Sequence, residues 1–142
     1  MKISEIMSKE VISLSVDDTV EHAALLMKDH NIGSIPVNTN EKIVGIVTDR
    51  DIILRGVAEG KDLKMQKVRE IMTSNPVVGN ENLNVEDAAR IMSERQIRRL
   101  PIVNNNSLVG IVSLGDIAVE PNLKEQASGA LSEISIPCIP DI

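Results

Sequence analysis

Twice in this chain a hydroxyl residue stands three positions ahead of an aspartate, behind a glycine and two aliphatic residues. The first copy reads Gly45-Ile46-Val47-Thr48-Asp49-Arg50-Asp51 and the second Gly110-Ile111-Val112-Ser113-Leu114-Gly115-Asp116. If a strand runs into a helix here, Thr48 and Asp51, like Ser113 and Asp116, face one space beside the free N–H groups of a helix start. A carboxylate so placed accepts from two sugar hydroxyls, while the hydroxyl side chain and the N–H groups meet a phosphate. The same pattern also reads as a capping box, in which the residues only start a helix. Two copies in register weigh toward a ligand, and both readings can hold together.

The motifs belong to a longer duplication of about fifty residues at a constant offset of 65 without gaps. Lys2, Glu5, Ile6 and Met7 return as Lys67, Glu70, Ile71 and Met72. Val20, Glu21, Ala23, Ala24 and Met27 return as Val85, Glu86, Ala88, Ala89 and Met92, and Ile32 and Pro36 as Ile97 and Pro101. Two copies are too few for a solenoid, so a closed pair about a pseudo-two-fold axis, with two equivalent clefts, is the expected arrangement.

Each copy predicts the order strand, helix, strand, strand, helix. A short apolar stretch (Val11, Ile12, Leu14; Val77, Val78) reads as a strand, and Thr19 and Asn84 read as N-caps. Helices follow on the stripes Val20, Ala23, Ala24, Met27 and Val85, Ala88, Ala89, Met92. Strands are expected over 34–37 and 43–47, with 38–42 as the turn, and over 100–103 and 108–112, joined through 104–107. Second helices are expected over 49–58 and 114–119. The division is therefore repeat 1 over 1–58, linker 59–66, repeat 2 over 67–119 and a tail 120–142. In the tail Leu123, Ala127, Ala130, Leu131 and Ile134 suit one amphipathic helix ahead of Pro137 and Pro140.

Composition narrows the chemistry. The 142 residues are 42% hydrophobic, enough for one core in two halves, and 15 basic against 21 acidic side chains leave −6. That balance disfavours a broad nucleic-acid or anionic-membrane surface. Phe, Tyr and Trp are absent, so a flat ligand ring must lie between aliphatic side chains and single-strand stacking platforms are missing. The single cysteine, Cys138, fits a reducing compartment and, without a basic or histidine neighbour, reads as a plain thiol. His22 and His30 lack a completing ligand set for a metal, and Met27 and Met92 read as core. With no leader-like apolar start and no membrane-length apolar run, a cytoplasmic protein is expected. No Walker-type loop or serine-histidine-acid set suggests an enzyme.

The paired Gly-aliphatic-aliphatic-Thr/Ser-x-x-Asp motifs, each behind Ile-x-x-aliphatic-Pro (Ile32 to Pro36, Ile97 to Pro101) and the Met7 and Met72 openings, resemble a tandem pair of cystathionine β-synthase (CBS) domains, a Bateman module. The likeness covers residues 2–118, and with no fused catalytic or transport partner it is nearest to stand-alone members. It implies an α/β (α+β) fold of two β-α-β-β-α repeats packed through their sheets. It further implies an adenosine compound (AMP, ADP, ATP, S-adenosylmethionine or NAD) in clefts where repeats meet, no required cofactor, and modules paired as a homodimeric disk.

Residue by residue, the resemblance assigns Asp51 and Asp116 to the ribose hydroxyls and Thr48 and Ser113 to the ribose or nearest phosphate. The stretches around Ile12 and Val77 become adenine walls. Basic residues before the proline reach phosphates in this family; here they are Arg98 and Arg99, whereas the first copy has Gly33 and Ser34 and only Arg50 to compensate. Unequal sites are therefore expected. The expected role is a ligand sensor signalling to an effector protein through the tail. The alternatives are a ligand-independent scaffold or, less favoured, nucleic-acid binding through Arg95, Arg98, Arg99, Lys64 and Lys67.

Overall fold

The computed structural model describes residues 1–137, so Cys138 and Pro140 lie outside the described residues. The chain is a mixed α/β protein with five α-helices among those residues, and it forms two compact units. Among the described residues no helix is long and apolar enough to cross a membrane.

One unit comprises Ile12–Pro76 with Asn106–Leu108. It runs β1 (Leu14–Ser15), α1 (Val20–His30), β2 (Ser34–Thr39), β3 (Lys42–Thr48), α2 (Asp49–Asp51), a π-helical continuation Ile52–Val57, and β4 (Thr73–Ser74). β1 lies parallel to β2 with Leu14 opposite Val37, and β2 lies antiparallel to β3 with Ile35 opposite Val47. β3 buries alternate residues, Ile43, Gly45 and Val47, as a strand with one core face must. The core joins Val47 to Leu14, Ile35 and Val37 and to Val20, Ala23, Met27, Ile52, Val68 and Ile71.

The second unit comprises Met1–Val11, Val77–Asn105 and the chain from Val109 onward. Its elements are β5 (Gly79–Asn80), α3 (Val85–Arg95), β6 (Arg99–Asn104), β7 (Ser107–Ser113, in this unit from Val109), α4 (Leu114–Ala118) and α5 (Lys124–Ile134). β5 lies parallel to β6 with Gly79 opposite Ile102, and β6 neighbours β7. The core repeats the pattern with Val85, Ala88, Ala89, Met92, Leu100, Ile102, Val112 and Ile117, then adds Leu123, Ala127 and Ala130 where α5 packs on α3 and α4.

Several expectations need correction. Of the apolar stretches at 11–14 and 77–78, Leu14 alone enters a first strand. Only Leu14–Ser15 and Gly79–Asn80 ladder, while Ile12 and Val77 pack partly buried against their cores. The five-residue turn at 38–42 shrinks to Asn40-Glu41 (φ 50° and 65°), and its counterpart is Asn105-Asn106 (φ 51° and 64°). Two successive left-handed residues make a turn of the I′ kind, whose twist matches the flanking strands and lets them run longer. Thr19 caps α1 by accepting from the His22 N–H at 3.1 Å, but Asn84 holds only the backbone geometry of a cap and makes no side-chain bond. The helix expected over 49–58 is α-helical for three residues and then π-helical.

The opening segment of each repeat packs in the unit built mainly from the other repeat. Ser8 and Ile111 exchange backbone hydrogen bonds of 2.9 and 3.0 Å, and Thr73 pairs with Ile46 at the matching place. Val85 N–H donates to Met1 O at 3.0 Å, as Val20 N–H does to Gln66 O at 2.9 Å. Met7 thereby covers Gly110, and Met72 covers Gly45. An added Cβ at either glycine would collide with the methionine side chain and lie 3.0 Å from a backbone oxygen, of Ser8 or Thr73. The glycine and the opening methionine recur together because each leaves room for the other.

Candidate functional site

The two motif copies fold alike, each within its own unit. Asp51 Oδ2 accepts from the Thr48 N–H at 3.0 Å while Thr48 Oγ1 accepts from the Asp51 N–H at 3.1 Å. Asp116 Oδ2 accepts from the Ser113 N–H at 2.8 Å and Ser113 Oγ from the Asp116 N–H at 3.1 Å. Both capping boxes are thus formed. They leave each aspartate's second oxygen and each hydroxyl hydrogen uncommitted among the described residues, and all four residues are partly exposed. Capping and ligand binding are compatible in this geometry, because the cap uses one carboxylate oxygen and fixes the other's direction.

The residues before the prolines are set beside these mouths by backbone contacts that repeat. Asp49 N–H donates to Gly33 O at 3.0 Å, and Leu114 N–H donates to Arg98 O at 2.8 Å. Ser34 lies directly opposite Thr48 in the β2–β3 ladder. Its hydroxyl oxygen is buried with no hydrogen-bond partner among the described residues, a position that a water or a ligand atom would satisfy. Arg50 is exposed, with its N–H donating to the Asp49 side chain at 2.8 Å.

In the second unit Arg98, Arg99 and Ser113 converge on a cleft of about 610 Å³, within the range of small-molecule sites. Leu114, Gly115 and Ala118 from α4 line it, and Lys124, Ala127, Ser128 and Leu131 from α5 form another wall. Asp116 and Val77 are outside this lining, Asp116 joining it through its hydrogen bonds to Ser113. Among the described residues three cationic side chains line the cleft and no carboxylate does, in a chain whose acids outnumber its bases. Sequence reasoning missed Lys124 and Ser128, which lie beyond the repeat, where no second copy marks them.

Known proteins share the repeat and the fold. A sequence model of the CBS domain matches residues 3–57 and 68–121. The CBS domain-containing protein YhcV of Bacillus subtilis is 47% identical over 133 residues, spanning 94% of each chain. Among solved structures, the CBS domain protein PAE2072 from Pyrobaculum aerophilum, complexed with AMP, superposes with a TM-score of 0.79 at 27% identity. The match covers 90% of this chain and 98% of that one. The hexameric CBS-CP12 protein from bloom-forming cyanobacteria gives 0.75 at 34% identity, over 88% and 74%. This chain belongs to the CBS domain family and carries two copies of the domain.

Proposed function

We propose that the chain is a non-catalytic regulatory module that binds an adenosine compound at its motif mouths, most tightly a phosphorylated one in the second unit. The observation that carries this reading is the meeting of Ser113, held by Asp116, with Arg98 and Arg99 around one open cleft. Asp116 presents a free oxygen to the ribose diol, Ser113 bonds the ribose or nearest phosphate, and the two guanidiniums neutralise the phosphate. In the first unit Thr48 and Asp51 repeat the sugar-directed half, Ile12 stands as Val77 does for an adenine wall, and Ser34 and Arg50 replace the arginine pair. That mouth suits a weaker ligand or a less charged adenosyl compound such as S-adenosylmethionine. AMP bound to a relative of the same fold supports the adenosine end of the reading.

Ligand binding acts by population shift: the compound favours whichever packing of the protein it contacts best, and only by that difference in affinity. The module works as a homodimer, for which the exposed apolar side chains Ile53, Leu54 and Val57 supply contact surface. The signal passes to an effector protein.

Calorimetry with adenosine, AMP, ADP, ATP, S-adenosylmethionine and NAD, on the native chain and on Asp116→Ala, tests the proposal. At least one phosphorylated compound should bind, and the variant should bind it roughly tenfold more weakly, the loss of one charge-assisted hydrogen bond. A variant that melts earlier yet keeps its nucleotide affinity would reduce Asp116 to a helix cap and favour the scaffold alternative.

A further inference from the structure

The C-terminal helix α5 lies outside both CBS repeats, yet it forms a full wall of the cleft that holds Arg98, Arg99 and Ser113. Its contribution is chemically specific. Lys124 and Ser128 stand one helical turn apart on its exposed side, and Ala127 and Leu131 give the same wall an apolar floor. Lys124 makes no ion pair among the described residues, although acids are plentiful in this chain. The helix itself is anchored away from these groups. Leu123 and Ala130 are buried, and Gln96 Nε2 at the end of α3 donates to Glu133 O at 3.0 Å and Ile136 O at 3.2 Å.

We propose that α5 is a ligand-contacting element, in which Lys124 and Ser128 hold the outer phosphate of a nucleoside di- or triphosphate whose inner end rests at Ser113. The inference rests on the adenosine reading for the identity of that inner end. Among the described residues three cations and no carboxylate line the cleft, a lining that favours a polyanion and opposes a sulfonium or an uncharged nucleoside. A single phosphate engages the Arg98 and Arg99 side of the cleft, and only a longer chain spans to the α5 wall. Occupancy then clamps α5 through direct contact, so the segment beyond the repeats is the part of the chain that registers a di- or triphosphate.

The test is calorimetry on the full chain with ADP, AMP, adenosine and inorganic pyrophosphate, comparing native protein with Lys124→Glu and Ser128→Ala. Amide hydrogen exchange across Lys124–Ile134 is read with and without ADP. Lys124→Glu should weaken ADP roughly tenfold, AMP by about twofold or less, and adenosine not at all. Its unliganded melting temperature should match the native one, because Lys124 is exposed. ADP should slow exchange in α5 and AMP should not. If ADP binds the native chain and Lys124→Glu retains that affinity within twofold, α5 is a structural wall and this inference falls while the adenosine reading stands. If ADP fails to bind but pyrophosphate binds and Lys124→Glu abolishes it, the anion cleft holds and the adenosine reading falls. Absence of binding by both probes overturns the two together.

Discussion

The mouths at the ends of β3 and β7 share one backbone and carry different charges. Each has a reciprocal capping box, and each ties the residue after the hydroxyl to the carbonyl of the residue three before the proline. On that common frame the first mouth carries Gly33, Ser34, Asp49 and Arg50, so one acid and one base cancel. The second carries Arg98, Arg99, Leu114 and Gly115, so two cations stand without an acid. Duplication preserved the directions in which groups point, and four substitutions changed what the groups attract. Among the described residues only the second unit adds a helix beyond the repeat; α5 packs on α3, where Ala89 is buried while its counterpart Ala24 on α1 remains partly exposed.

Removing the arginine pair is the strongest way to break this contrast. Arg98→Ala with Arg99→Ala should weaken ADP at the tighter site roughly thirtyfold, about 2 kcal/mol. Ser34→Ala should weaken ligand binding at the first mouth by only about threefold, the loss of one neutral hydrogen bond, with stability unchanged or slightly raised because the hydroxyl it deletes is buried without a partner among the described residues. Calorimetry resolving the two sites checks both, and equal losses in the two experiments would erase the distinction between the mouths.

The shared frame predicts equality elsewhere. Gly45→Ala and Gly110→Ala each force a methyl group against a methionine and within 3.0 Å of a backbone oxygen, so each should cost about 1–3 kcal/mol in urea unfolding. Costs differing by more than about 1 kcal/mol would show that the two Met–Gly contacts are not equivalent.

How much of this was legible in the residues follows from the kind of interaction involved. The duplicated motif, its helix stripes and its capping pattern are local, so spacing alone placed Thr48 with Asp51 and Ser113 with Asp116. The exchange of opening segments is not local. Met7 and Met72 recur at the same offset as the glycines, but nothing in that offset says Met7 covers Gly110 instead of Gly45. The first strands were misplaced because Ile12 and Val77 are apolar for packing, whereas the ladder residues that follow, Ser15, Gly79 and Asn80, have no strand-like side chains. The α5 wall stayed hidden because an amphipathic pattern shows which face is buried but not which cleft its polar side borders.

A graft sharpens the comparison from the opposite direction. Placing arginines at 33 and 34 is insufficient alone, since a Cβ at Gly33 would lie 3.2 Å from Asp49 Oδ2 and an arginine there would pair with that carboxylate. Gly33→Arg, Ser34→Arg, Asp49→Leu and Arg50→Gly together reproduce the second mouth at all four positions, and AMP should then bind the first unit roughly tenfold more tightly. An unchanged affinity would mean that the charge difference is not what separates the two sites.

The smallest effect tests whether the frame is equally relaxed in both copies. The two hairpins turn through consecutive left-handed residues, Asn40-Glu41 in one and Asn105-Asn106 in the other. Asparagine tolerates that region because its short side chain bonds the local backbone, whereas glutamate at φ 65° has its Cβ crowded by the adjacent carbonyl without that relief. Glu41→Asn should therefore stabilise the protein by about 0.5 kcal/mol, and Asn106→Glu should destabilise it by a similar amount. For a chain of this size that is about 2 °C in either direction in a dye-monitored melt. Opposite signs of matching size would identify the turn residue, and not the strands around it, as the source of the difference, since each swap installs the other copy's residue on the same backbone.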